Sequence, residues 1–183
     1  MPRRYVAFLR ALNLGDTNAL SKDKLRSLFL DAGASWSESF ITSGNVIFDA
    51  EPSTLGRIQR EAAKCLAETH EIRQPIFVLS MSQLATIRSS FDESASSSGD
   101  YIGLFVSFFA GKAALQSALP IRSNRQDVEL FALGPGFALS HRYRVNGQAT
   151  DSNAFVERLI GKPCSTRNAN TVKRILEKYT NDQ

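Results

Sequence analysis

Residues 5–12, YVAFLRAL, decide the fold of this chain. The stretch is rich in β-forming residues, and both of its alternating sets of positions are apolar, which is typical of a strand that is buried on both faces. We therefore predict a central strand here, with the remaining elements arranged around it.

The residues that follow predict a helix and then a hairpin. Ser21 is placed as the N-cap of a helix, Leu20 and Leu25 are spaced as a hydrophobic staple, and Gly33 marks the end of the helix. Residues 39–49, SFITSGNVIFD, predict a β-hairpin, because Gly and Asn tolerate the positive φ of a tight turn.

Three further signals complete the first half. Ser53 is placed to cap a second helix, residues 72–79 predict another strand, and Ser80 is placed to cap a short helix. The resulting series, β-α-β-β-α-β, is that of the ferredoxin-like α/β plait.

The second half repeats part of this series. It predicts a strand over 101–110, a short helix over 112–119, a hairpin over 128–144 and two C-terminal helices. The predicted fold class is therefore α+β, with two ferredoxin-like plaits in tandem, the second degenerate, packed together.

The predicted domains follow from this repetition. Residues 1–91 form the first plait with a short helix, residues 92–100, DESASSSGD, a serine-rich linker or mobile loop, and residues 101–183 the second plait. Because strands in both halves are apolar on both faces, the second face of each sheet needs a cover. We favour packing within a monomer, and a homodimer is the alternative.

Composition excludes several classes of protein. Of the 183 residues, 43% are hydrophobic and 22% are charged, which argues against wholesale disorder. Two Cys and two His are too few for a disulfide scaffold or a histidine-based metal site, so we expect no metal. We also expect no cofactor.

The net charge of +4 is unevenly distributed. Residues 1–30 carry six basic and two acidic side chains, residues 31–139 carry eight and twelve, and residues 140–183 carry eight and four. If the two basic ends meet in the fold, they form one positive surface; the alternative is that these charges are scattered and solvated.

The location expected from the sequence is the cytoplasm. Residues 5–14 are interrupted by Arg10 and Asn13, so they read poorly as a signal peptide, and no run reaches the roughly 20 apolar residues of a membrane span. We expect reduced cysteines, with Cys65 on an apolar helix stripe and Cys164 more exposed in a loop.

Three ordered segments resemble one bacterial family, that of domain of unknown function 1697. They are RYVAFLRALNLGDTNAL at 4–20, FITSGNVIF at 40–48 and STRNANTVKRILEK at 165–178. The resemblance implies a two-plait α+β fold and implies no activity. The sequence departs from the family pattern at four places, namely Ala11, Asp16, Ala169 and Thr150, the last of which stands where relatives carry lysine.

Plait topology predicts a polar rim where the first strand ends beside the hairpin. Arginine offers a planar fork of donors, Asn and Ser offer short polar groups, and Gly leaves backbone N–H groups open, which together suit a phosphate or a carboxylate. Turn chemistry alone also explains the hairpin residues. The predicted rim consists of Arg10, Asn13, Gly15, Ser43, Gly44 and Asn45.

The third family segment adds three candidate residues. Thr166, Arg167 and Asn168 are predicted at the start of the last helix, where free N–H groups and the helix dipole favour an anion. Plain capping by Thr166 or Asn168 is the alternative. If this segment docks near Arg10, the two groups form one anion site.

Three functions follow from these observations. The favoured hypothesis is a binding module for an anionic ligand that carries phosphate, or for a nucleic-acid backbone. The alternatives are a structural or interaction protein and an enzyme that acts on a phosphorylated substrate. No nucleotide-binding loop, zinc-protease helix or nucleophile elbow is present in the sequence. His141 is expected to be a packing residue, with Arg142 and Arg144 facing solvent.

Overall fold

Strand β1, Arg3–Leu9, lies at the centre of the first of two sheets. The computed structural model describes residues 1–10, 20–41, 44–92 and 100–180. The chain divides into two compact units, Met1–Gln83 and Leu84–Gln183. The division falls inside helix α3, Met81–Arg88.

Unit 1 is an antiparallel sheet with two helices on one face. Its strands are ordered β2-β3-β1-β4, so β1 has a neighbour on each side, as the sequence predicts for a central strand. The remaining elements are α1 Lys22–Asp31, β2 Trp36–Phe40, β3 Asn45–Ala50, α2 Leu55–His70 and β4 Ile76–Ser80.

The core of unit 1 lies between the sheet and its helices. Tyr5, Ala7 and Leu9 of β1 pack against buried apolar side chains of α1 and α2. Each fully buried large apolar side chain contributes roughly 1.5–3 kcal/mol of transfer free energy. The alternate residues of β1, Val6 and Phe8, are also fully buried. The strand is therefore buried on both faces, as its composition indicates.

The helix caps agree with the sequence in two cases of three. The Lys24 amide donates to Ser21 Oγ at 3.2 Å. The Gln83 amide donates to Ser80 Oγ at 3.2 Å while the Ser80 amide donates to Gln83 Oε1 at 2.9 Å, which is a reciprocal capping box. The prediction for Ser53 is wrong, since α2 begins after Thr54, whose side chain makes no cap bond.

Unit 2 is a five-stranded antiparallel sheet, ordered β6-β7-β8-β5-β9. Two described helices, α4 and α5, belong to it. Its elements after α3 are β5 Tyr101–Phe109, β6 Ile121–Arg122, β7 Val128–Gly134, β8 Phe137–Tyr143, α4 Ser152–Ile160, β9 Cys164–Asn168 and α5 Ala169–Thr180.

Two sequence predictions for unit 2 are wrong. Residues 112–119 form no helix. None of these eight side chains is fully buried, and a helix this short is not stable without a buried face. The third family segment starts on strand β9, not on the last helix. The segment CSTRN is polar and lies at the sheet edge, so it lacks the alternation by which strands are recognised.

The two sheets share one strand order. Counted along each unit, strands β7-β8-β5-β9 stand in the same order as β2-β3-β1-β4, and β6 is an additional strand at the β7 edge. In both units the strand at the opposite edge, β4 or β9, leads directly into a helix. None of the described helices is both long and apolar enough to cross a membrane.

Candidate functional site

The end of β1 lies beside the hairpin of unit 1. The Leu9 amide donates to the Gly44 carbonyl at 2.8 Å, so Arg10 comes immediately after this contact. Arg10 Nη1 donates to the Gln74 side-chain oxygen, in the segment that precedes β4. The predicted approach of β1 to the hairpin is therefore present.

Much of the predicted rim lies outside the described residues, namely Asn13, Gly15 and Ser43. Asn45 is fully buried, and its Nδ2 donates to the Phe40 carbonyl at 3.2 Å. Its amide therefore joins β2 to β3 across the hairpin. This contact corresponds to the turn chemistry that the sequence offered as the alternative to binding.

The third family segment contributes to a partly buried polar network. Thr166 donates to Asn153 Oδ1 through its amide at 3.1 Å and through its hydroxyl at 3.0 Å, and its hydroxyl is 2.7 Å from Ser107 Oγ. Asn168 Oδ1 accepts the Asn170 amide at 2.8 Å, as a helix cap does. Thr166 and Arg167 lie within β9, so the predicted placement at the start of the last helix is wrong for these two. Asn168 immediately precedes α5, which begins at Ala169, and its cap bond is the capping role that the sequence offered as the alternative.

Arg167 is a partly desolvated cation. Its Nη1 donates to the Thr166 carbonyl at 2.9 Å, and desolvation lowers its pKa to about 10, so it stays charged at neutral pH. Arg10 lies in unit 1 and Arg167 in unit 2. Their meeting at one rim stays a prediction.

The remaining titratable candidates are packing residues or surface groups. His141 is 3% exposed and stacks on Phe131 at 4.3 Å, in agreement with its predicted packing role. Arg144 is exposed, whereas Arg142 is half-buried over the Phe105 ring at 4.7 Å, so the prediction that both face solvent holds for Arg144 alone of the two.

The two cysteines are the reverse of the sequence expectation. Cys65 is exposed, because it lies at the edge of the α2 stripe, and Cys164 is buried, because it lies on β9 and not in a loop. Within the described ranges, no group of three or more His, Cys, Asp or Glu side chains is placed to hold a metal ion.

A cleft between α1 and β2 was missed by the sequence analysis. It has a volume of about 350 Å³, within the usual range of small-ligand sites, and lies wholly in unit 1. Lys22, Asp23 and Arg26 of α1 form one wall, and residues 36–39 of the edge strand β2 form the other. The alternation in WSESF places Ser37 and Ser39 on one face of the strand. The position of α1 beside that face is set by tertiary packing, which local sequence does not show.

Two serine hydroxyls of this cleft have no hydrogen-bond partner among the described residues. They belong to Ser37, which is 2% exposed, and to Ser39, which is half-buried. A buried hydroxyl without a partner costs about 1–3 kcal/mol, so such groups are rare in folded proteins. These two are therefore available to a ligand that enters the cleft.

The helix wall of the cleft carries two cations. Lys22 and Arg26 are four residues apart, which places them on one face of α1, and both are exposed. Neither forms an ion pair within the described part of the chain. Asp23 and Glu38 also line the cleft, so its charge is mixed.

Comparison with known proteins identifies a family and a fold. The conserved bacterial protein SP0830 from Streptococcus pneumoniae has a similar structure, with a TM-score of 0.62 at 16% sequence identity over 97% of this chain and 98% of that chain. No curated protein sequence matches. The family described as "Protein of unknown function (DUF1697)" matches residues 2–137, a span that includes the first two of the three family segments and ends before the third. The chain therefore belongs to the DUF1697 family.

Proposed function

We propose that this protein is a binding module for an anionic ligand, and that the cleft between α1 and β2 is the binding site. The observation that carries the proposal is the pair of unpartnered hydroxyls of Ser37 and Ser39 opposite the cations Lys22 and Arg26. Hydroxyl donors and fixed positive charges together are what phosphate and carboxylate groups require.

The mixed charge of the cleft limits the kind of ligand. Lys22 and Arg26 attract an anionic group, while Asp23 and Glu38 repel a second anionic group nearby. The ligand that fits best carries an anionic group on the α1 side and hydrogen-bonding groups on the β2 side. A long polyanion such as a nucleic-acid backbone fits less well, because its repeated charges would lie along both carboxylates.

Thermal stabilisation in the presence of inorganic phosphate, citrate and ATP tests the proposal. Binding to the folded state alone is expected to raise the Tm by about 3–6 °C when the ligand is at ten times its Kd. Lys22→Ala with Arg26→Ala removes this shift. Lys24→Ala is the matched control, since Lys24 is exposed on the same helix and does not line the cleft. No shift with any of the three anions, or an equal loss in Lys24→Ala, contradicts the proposal.

We propose, in addition, a finer fold for the two units. Each unit is a ferredoxin-like plait, the second of them degenerate. The shared strand order supports this, together with the position of α1 between β1 and β2 and of α2 between β3 and β4. A cytoplasmic location is supported by the free thiols of Cys65 and Cys164.

A further inference from the structure

Strand β2 forms one edge of the sheet of unit 1. It pairs with β3 and has no second neighbour among the described strands of its sheet. An edge strand offers a row of backbone N–H and C=O groups, and an extended polypeptide can pair with it. The cleft described above runs along this edge.

The register of the sheet shows which groups face that edge. In an antiparallel pair, the N–H and C=O of one residue point to the same neighbour, and successive residues alternate. The Leu9 amide bonds the Gly44 carbonyl, so the backbone groups of Gly44 point toward β1. The alternate residues Val46 and Phe48 therefore point their backbone groups toward β1 as well. Ser39 and Ser37 stand opposite them on β2, so the backbone groups of both serines point away from the sheet.

In unit 2, the sheet edge that corresponds to β2 is paired with an additional strand. Its strand β7 corresponds to β2, and β6 pairs with it antiparallel, with Ile121 opposite Leu130 and Arg122 opposite Glu129. The two units also correspond in register. The Phe109 amide donates to the Gly136 carbonyl at 3.0 Å, just as the Leu9 amide donates to the hairpin carbonyl of unit 1. By this correspondence Leu130 occupies the position of Ser37.

We infer that the ligand of the α1–β2 cleft is an extended acidic polypeptide segment, which adds to β2 as an antiparallel fifth strand. It would occupy in unit 1 the position that β6 occupies in unit 2. Its backbone bonds the outward groups of Ser37 and Ser39, and an acidic side chain or a terminal carboxylate meets Lys22 and Arg26. This inference rests on the proposed function and names its ligand class.

Each part of the cleft has a role in this complex. The hydroxyls of Ser37 and Ser39 lie on the cleft side of β2 and bond the side chains of alternate ligand residues. The cations of α1 set the charge of the segment that binds. A small phosphate compound uses the hydroxyls and the cations and leaves the outward backbone groups of β2 without partners.

Peptide selection on the full chain tests the inference. Random ten-residue peptides displayed on phage are selected, and the enriched peptide is compared with two forms of itself that are N-methylated on alternate backbone nitrogens. Methylation of the set that faces β2 is expected to weaken binding by about ten-fold or more, because two or three ladder bonds are lost, and methylation of the other set to leave it unchanged. Lys22→Ala with Arg26→Ala weakens the same peptide, and Lys24→Ala does not.

Ser37→Pro supplies the second arm. Proline removes a backbone donor that points out of the sheet, and an edge strand tolerates it there, so the fold is expected to persist while peptide binding is lost. Circular dichroism and the Tm check the fold, and Ser39→Pro repeats the test if Ser37→Pro does not fold.

Three results would overturn the inference. One is the failure to enrich any peptide, and another is an equal effect of the two methylated forms. The third is a dimer in sedimentation velocity that Ser37→Pro converts to monomer, since the occupant would then be a second copy of the chain. If the first result is found together with stabilisation by phosphate or citrate, the inference fails and the proposed function still stands.

Discussion

Thr150 donates two hydrogen bonds to the carboxylate of Asp127. The Thr150 amide donates to Asp127 Oδ2 at 2.8 Å, and the Thr150 hydroxyl donates to the same oxygen. Ser123 Oγ donates to Oδ1 at 2.7 Å, and Asp127 is fully buried. Thr150 thus ties the segment before α4 to the start of β7.

Removal of the Thr150 hydroxyl is expected to destabilise the protein. Thr150→Val keeps the size of the side chain and the backbone bond but removes one bond to a buried carboxylate, which costs about 1.5–3 kcal/mol of unfolding free energy. Urea denaturation measures this change. Ser117→Ala is the control, since Ser117 is exposed in an irregular segment, and a loss as large in the control contradicts the account.

Asp127 is also expected to make stability depend on pH. Burial alone raises the pKa of its carboxyl, but the hydrogen bonds from Thr150 and Ser123 outweigh this, and the pKa lies below its ordinary value of 3.8. A lowered folded-state pKa adds stability above pH 3.8, and that stability is lost as the pH falls through 3.8 toward the folded value. The difference in unfolding free energy between the wild type and Asp127→Asn should therefore shrink below pH 3.8. A difference that is constant from pH 7 to pH 3 would contradict this.

We expect the Asn45 side chain to stabilise the folded protein. Asn45→Ala removes the bond to the Phe40 carbonyl and leaves that buried oxygen without this donor, at a cost of about 1–3 kcal/mol. The matched control is Gln116→Ala, at an exposed amide outside the regular elements. Unchanged stability in Asn45→Ala would contradict this structural role.

The two thiols are expected to react at very different rates. Cys65 is exposed on α2, while Cys164 is buried, with its Sγ 3.5 Å from Asn153 Oδ1. Ellman's reagent should therefore titrate one thiol quickly in the folded protein and the second after denaturation. Cys65→Ala removes the fast phase and Cys164→Ala leaves it intact. The opposite pattern would show that β9 does not bury its cysteine.

Local signals predicted unit 1 well. The composition of residues 5–12 predicts a strand buried on both faces. Ser21 and Ser80 are placed as helix caps, and the Ser-Gly-Asn turn predicts the hairpin. In each case the relevant physics is contained in a few consecutive residues, namely periodicity, a capping oxygen or a positive φ. The same rules placed the cap of α2 at Ser53, one residue before Thr54, the N-cap position, whose side chain makes no cap bond.

Features that depend on distant residues were not predictable in this way. Residues 112–119 have helix-forming composition but bury no face, and β9 is a strand because β5 pairs with it. The α1–β2 cleft needs Lys22 and Arg26 to pack beside Ser37, which no spacing in the sequence encodes. We therefore propose this cleft as the binding site, while the rim, part of which lies outside the described residues, stays a prediction.

An amide chemical-shift titration of the full chain with inorganic phosphate and with citrate tests the central claim most directly. The account predicts saturable shifts of the Ser37 and Ser39 amides, with a matching change at the Arg26 side chain, at concentrations up to about 10 mM, ten times a Kd of 1 mM. Shifts confined to Arg10 and its neighbours, or no saturable shift at residues 22–39 with either anion, would contradict it.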